Sequence, residues 1–80
     1  MTNVYTLNDT IFRFLAGSST RSITLPKITQ KLVEYLRSMG YAVSVIDDDH
    51  RDYRIIEVDE HHFRIIRWTD WLRYDSVIID

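Results

Sequence analysis

The densest group of chemically capable side chains is the run Asp47-Asp48-Asp49-His50-Arg51-Asp52. Its carboxylates and imidazole could supply the oxygen and nitrogen donors that divalent cations accept. The run lacks the spacing of a calcium-binding loop between two helices, which wants a glycine at its sixth position and a bidentate acid at its twelfth. Arg51, inside the run, would oppose a bound cation. Aspartate also tolerates turn geometry and keeps sheet edges soluble. A solvated acidic turn (Asp47, Asp48, Asp49, Asp52) is therefore expected, with no metal and no cofactor.

His61 and His62 follow Glu60 at the next turn. Consecutive strand residues point to opposite faces, so the two imidazoles do not converge on one ion. Recruiting His50 fails on length, because the strand between the two turns holds them about 20 Å apart. Enzyme templates fare no better. The chain has no cysteine and only two glycines, so it has neither a thiol nucleophile nor a glycine-rich phosphate loop, and it carries no Gly-x-Ser-x-Gly elbow. Metal-dependent nucleases pair carboxylates with a nearby lysine. Here both lysines, Lys27 and Lys31, precede the acids, and Glu57 with Asp59 on one strand face is nonspecific. So short a chain also struggles to enclose a substrate pocket of several hundred Å³. No catalytic residue is assigned, and a metal-dependent enzyme ranks third among the readings.

Nucleic acid ranks second. A short helix, a loop, a longer helix and a hairpin follow one another as in the second half of a winged helix. Arg21, Lys27 and Lys31 would face phosphate from the basic helix. The acidic turn would then occupy the wing, where it repels phosphate, and the sequence pI of about 5.8 lacks a basic footprint.

The first-ranked reading is a protein-binding surface. Tyr53, Arg54, Phe63, Arg64, Arg67, Trp68, Trp71, Arg73 and Tyr74 fall within 22 positions. Arg, Trp and Tyr are the types most enriched at binding hot spots, whereas Lys, depleted in interfaces, is absent after position 31. With Phe63 left to the core, the expected partner-binding set is Tyr53, Arg54, Arg64, Arg67, Trp68, Trp71, Arg73 and Tyr74.

These residues need elements to position them. Leu25, Ile28, Leu32, Val33, Leu36 and Met39 recur with the 3.6-residue period and predict one amphipathic helix over residues 25–39. Thr24 is its cap, Pro26 is tolerated in its first turn, and Gly40 stands where a left-handed residue ends a helix. Tyr41 is expected to pack back on Leu36. The period then changes to two. Residues 41–46, 53–58 and 62–68 read as strands joined by short turns, an antiparallel meander. Ile56 and Val58 share one face of the second strand, opposite Tyr53, Ile55 and Glu57. In the third, Phe63 and Ile65 oppose Arg64, Ile66 and Trp68. Neither face is cleanly polar, and one helix covers only one of them.

The ends are more open. Residues 8–16 suit a short helix with Asn8 as cap and Gly17 as stop, or a hairpin turning at Asn8-Asp9; the helix is preferred. After Thr69-Asp70, either a helical turn or a last strand ending at Val77-Ile78-Ile79 follows; the strand is preferred. The fold class is thus α+β: a helix on a three- to four-stranded antiparallel meander with a short N-terminal helix, in one domain.

Bulk properties agree with a folded binder. The 80 residues are 45% hydrophobic and 12% aromatic, too rich for disorder. A domain this small often needs a staple. Without cysteine, extra stabilisation must come from packing, a partner chain or a non-thiolate metal, and a homodimer is anticipated. Residues 1–46 carry five basic and two acidic side chains, net +3, and residues 47–80 five against ten, net −5. Such a split favours charged partners or self-association. No apolar run approaches the roughly 20 residues that span a bilayer. Residues 11–16, the longest leader-like run, are interrupted by Arg13 and preceded by no basic segment. The expectation is a cytoplasmic protein with no membrane contact, an inhibitor or regulator of the kind common among accessory proteins of phages and mobile elements.

Overall fold

The computed structural model describes residues 2–18, 23–68 and 73–80. It contains helices α1 (Val4–Ser18) and α2 (Leu25–Ser38), then strands β1 (Val43–Asp47), β2 (Tyr53–Val58), β3 (His61–Trp68) and β4 (Arg73–Ile78). The strands form one antiparallel sheet in the order β1-β2-β3-β4. Both helices lie on the same side of it, α1 along β4 and α2 over β1 and β2. The fold is α+β, as expected. No helix among the described residues is long and apolar enough to cross a membrane.

α1 starts four residues earlier than the sequence implied. Its cap is Asn3, whose Oδ1 accepts the amides of Tyr5 at 2.9 Å and Thr6 at 3.1 Å, two donors that no helical carbonyl can reach. Asn8 is therefore inside the helix, not its cap. Its Oδ1 instead accepts a 2.6 Å bond from the Ser76 hydroxyl and ties α1 to β4. The helical period begins upstream of Asn8, at Leu7, and continues through Ile11 and Leu15, all buried. This stripe rules out the hairpin. Gly17 does not stop the helix, which runs on to Ser18.

α2 matches its expected signals closely. Thr24 accepts the amide of Lys27 at 3.4 Å, Pro26 sits in the first turn, and Gly40 adopts φ +96°. The amides of Gly40 and Tyr41 bond back to the carbonyls of Arg37 and Leu36, the paired closure of a glycine-terminated helix. Tyr41 packs against the core, as expected. Met39 does not: the helix ends at Ser38, and Met39, assigned to the apolar stripe, is 49% exposed.

The two-residue alternation resolves the sheet into two unlike faces. Val43, Ile56, Val58, Phe63, Ile65, Tyr74 and Ser76 turn toward the helices and are buried. All of these but Ser76 form one core cluster with Leu7, Ile11, Leu15, Leu25, Ile28, Leu32, Val33 and Leu36. Between β2 and β3 the turn is only Asp59-Glu60, both with positive φ, 48° and 72°. This conformation suits the twist of a two-residue hairpin but favours Asn-Gly over Asp-Glu. Asp59 compensates, since its carboxylate accepts the Ala42 amide and the Thr2 hydroxyl, each at 3.0 Å. Glu60 is exposed and has no comparable role. Glu60→Gly should therefore raise stability by about 1 kcal/mol, read as a higher urea midpoint at unchanged slope.

On each sheet edge a side chain takes one outward backbone group. The Asp59 amide bonds to the Ala42 carbonyl, so the backbone polar groups of Val43 point away from β2. Arg37 Nη2 donates to that outward Val43 carbonyl at 2.9 Å. On β4, where the Ile79 amide bonds to His62, the outward amide is that of Ser76, and Asp75 Oδ1 accepts it at 2.9 Å. β1 also carries a register shift between Val45 and Asp47, leaving Ile46 as an exposed bulge residue.

Candidate functional site

The sheet face that carries no helix gathers much of what the sequence marked for binding. Register sets its rows: Ile55, Arg64 and Val77 lie side by side, then Tyr53, Ile66 and Asp75, then Trp68 and Arg73. Trp68 is 42% and Val77 45% exposed. Tyr53 holds two neighbours at once. The His50 ring stacks on it at 3.8 Å, and the Arg64 guanidinium lies over it at 4.8 Å. A parallel imidazole fills one face of the phenol, which leaves the other to the cation.

The carboxylates of this face are engaged locally. Glu57 Oε2 is 3.1 Å from His62 Nε2. Asp75 Oδ2 lies 3.4 Å from Arg73 Nη1 and accepts the Trp68 indole N–H at the same distance. Arg73 in turn sits over the Trp68 ring at 5.8 Å. Arg64 has no carboxylate within 4 Å among the described residues. It is an exposed cation flanked by Ile55, Val77 and Tyr53.

Of the expected partner-binding set, Tyr53, Arg64, Trp68 and Arg73 lie on this face. Arg54, Arg67 and Tyr74 do not, because the period of two sends them to the helix side. Trp71 lies outside the described residues. Tyr74 is 3% exposed, and its hydroxyl donates to the Ile23 carbonyl. It is a core residue, not a contact. Burial raises its pKa above the ordinary tyrosine value, with the Arg67 charge opposing in part. The fold thus favours neutral Tyr74. That stability is intact below about pH 10 and is lost as pH rises through the higher folded value. Tyr74→Phe should lower the unfolding free energy at neutral pH by about 1 kcal/mol for the lost hydrogen bond, read from the urea midpoint at unchanged slope, yet flatten the decline above pH 10.

Arg54 donates to the carbonyls of His50 and Tyr53 and lines a cleft of about 410 Å³ between α2 and the β1 side of the sheet. Thr29, Val33, Glu34, Arg37, Val45 and Asp48 are among its other walls. The cleft is open to solvent, and its walls come from the consecutive elements α2, β1 and β2.

The acidic segment folds as a turn. The Asp49 amide bonds to Asp47 Oδ1 at 3.1 Å and the Asp52 amide to His50 Nδ1 at 3.2 Å. Arg51 and Asp52 form a loose, exposed pair at 3.8 Å. His61 and His62 diverge as expected: His61 approaches Asp80 at 3.4 Å while His62 meets Glu57. Asp80 also accepts the His62 amide at 2.6 Å, which is the main reason its carboxyl titrates below the usual range. Glu57 and Asp59 are not a pair, since Asp59 belongs to the turn. Among the described residues no three His, Asp or Glu side chains are grouped to hold a metal ion. Lys27 and Lys31 are exposed on α2, and Arg21 lies outside the described residues. Comparison with protein-family models, curated proteins and solved structures finds no match for this chain.

Proposed function

We propose that this chain is a non-enzymatic protein-binding module, an inhibitor or regulator that acts stoichiometrically in the cytoplasm through the open face of its sheet. One observation carries the reading. Both helices pack on the same side, so Tyr53, Arg64, Trp68, Arg73 and Val77 stand on a face that no other described element covers. Tyr and Trp give large contact area at modest entropic cost, and together with Arg they dominate measured hot spots. A protein suits this face better than nucleic acid. Glu57 and Asp75 offset Arg73 and Arg64 on it, so the face has no basic footprint for a phosphate backbone.

The test is a double variant, Arg64→Ala with Trp68→Ala, whose fold is checked by circular dichroism. Losing two hot-spot side chains should weaken stoichiometric association at least about 30-fold, as read by sedimentation velocity and by co-purification from the native host. Equal association by wild type and variant would overturn the reading. So would salt-sensitive duplex binding that disappears in Lys27→Ala with Lys31→Ala, since that would assign the function to α2.

A further inference from the structure

We infer that the cleft between α2 and the β1 side of the sheet binds an apolar α-amino acid, its carboxylate on Arg54, its ammonium on Asp48 and its hydrocarbon on Val33 and Val45. This site lies on the helix side, apart from the open face, and does not rest on the binding role argued above.

The charges that line the cleft are not spent on one another. Glu34, Arg37, Asp48 and Arg54 all border it, yet none of them has an ion pair within 4 Å among the described residues. Both guanidiniums are anchored on backbone carbonyls instead. Arg37 Nη2 donates to Val43, and Arg54 Nη1 donates to His50 and Tyr53. Asp47 lies opposite Ile55, so Asp48 and Arg54 follow that pair on neighbouring segments. An acid and a base thus meet at one end of the cleft. Among the described residues, Nη1 is the only nitrogen of the Arg54 guanidinium with a partner. Nε and Nη2 remain, the planar edge that holds a carboxylate through two parallel bonds. Arg54 is half-buried, and the lower effective dielectric there strengthens such a contact.

The walls also select the ligand. Two guanidiniums and two carboxylates sum to zero, so a polyphosphate would meet Glu34 and Asp48, and a polyamine would meet Arg37 and Arg54. A zwitterion satisfies an acid and a base together. The rest of the ligand meets an apolar floor. Val45 turns to the helix side beside Ile56, which is fully buried, yet Val45 itself is 44% exposed. Helix α2 leaves it uncovered across the cleft, where Val33 stands in the facing wall. A branched aliphatic side chain laid between the two valines removes apolar surface from water. The volume, about 410 Å³, falls within the range of small-molecule sites.

The experiment titrates the full chain with L-leucine, followed by amide NMR. Leucine should bind one-to-one with a Kd below about 1 mM, moving the signals of Val33, Val45 and Arg54 and leaving Val77 on the open face unmoved. Two analogues divide the zwitterion: 4-methylpentanoate lacks the ammonium and 3-methylbutylamine lacks the carboxylate. Each should bind more than about tenfold more weakly, the effect of one lost charge-assisted contact. Arg54→Gln and Asp48→Asn should each weaken leucine binding by a similar factor, about tenfold, whereas Arg64→Ala should not change it. Circular dichroism establishes that each variant is folded; Asp48 is exposed, so its variant decides the matter even if Arg54→Gln unfolds. No shift at leucine concentrations of about 10 mM, an analogue that binds as tightly as leucine, or a folded Asp48→Asn that binds like wild type would each overturn the inference.

Discussion

Phe63→Ala should cost about 3–5 kcal/mol, the range for an aromatic side chain removed from a closed core. Phe63 is fully buried in β3, paired across the sheet with Ile56 and Ile78 and packed within the helix-side cluster. Neighbours held by four hydrogen-bonded strands cannot collapse into the space, so a cavity adds to the lost transfer free energy. Against a total stability of about 4–12 kcal/mol for a domain of this size, most of the margin disappears. Urea unfolding checks this: the midpoint should fall sharply while the slope stays constant. Val77→Ala on the neighbouring strand should cost less than about 0.5 kcal/mol, because Val77 faces solvent. A Phe63→Ala loss below about 1 kcal/mol would mean that the core does not close around this ring.

Ile11→Ala should cost about 2–4 kcal/mol, and the adjacent Phe12→Ala less than about 1 kcal/mol. Ile11 is fully buried between Leu7 and Leu15, whereas Phe12 is 39% exposed. The ratio matters more than either value. A strand through this segment would bury Phe12 with Phe14 and put Ile11 on the side of Arg13, reversing the order of the two effects. Both variants can be compared in one urea series, and a larger loss for Phe12 would contradict the docking of α1.

α1 was the least legible element, and the reason is physical. Val4, Tyr5, Thr6, Ile11, Phe12 and Phe14 all suit strands, and both Asn3 and Asn8 can cap. What decides between them is tertiary: the Ser76 hydroxyl takes Asn8 from 68 residues away. α2 was legible because Thr24, the apolar stripe and Gly40 each gave the same answer locally. For the strands, period-two patterning sorted the faces of β2 and β3 correctly. It could not place Tyr74, because a strand's face depends on register, which is set by pairing and not by composition. Counting Arg and aromatic residues therefore merged two faces into one site. Arg54, Arg67 and Tyr74 belong to the helix side, and Tyr53, Arg64, Trp68 and Arg73 to the open side. The stack of His50, Tyr53 and Arg64 was equally out of reach, since it joins a turn and two strands.

Arg37 on the Val43 carbonyl and Asp75 on the Ser76 amide have a further consequence. Small proteins with a bare strand at either border risk ribbon-like growth, one molecule templating the next without end. Here each border has a hydrogen-bonding group already taken by the molecule itself, and the bulge at Ile46 interrupts the remaining line. Addition of a further strand at these positions is thereby discouraged, because the incoming backbone would have to displace a bond the chain already makes to itself.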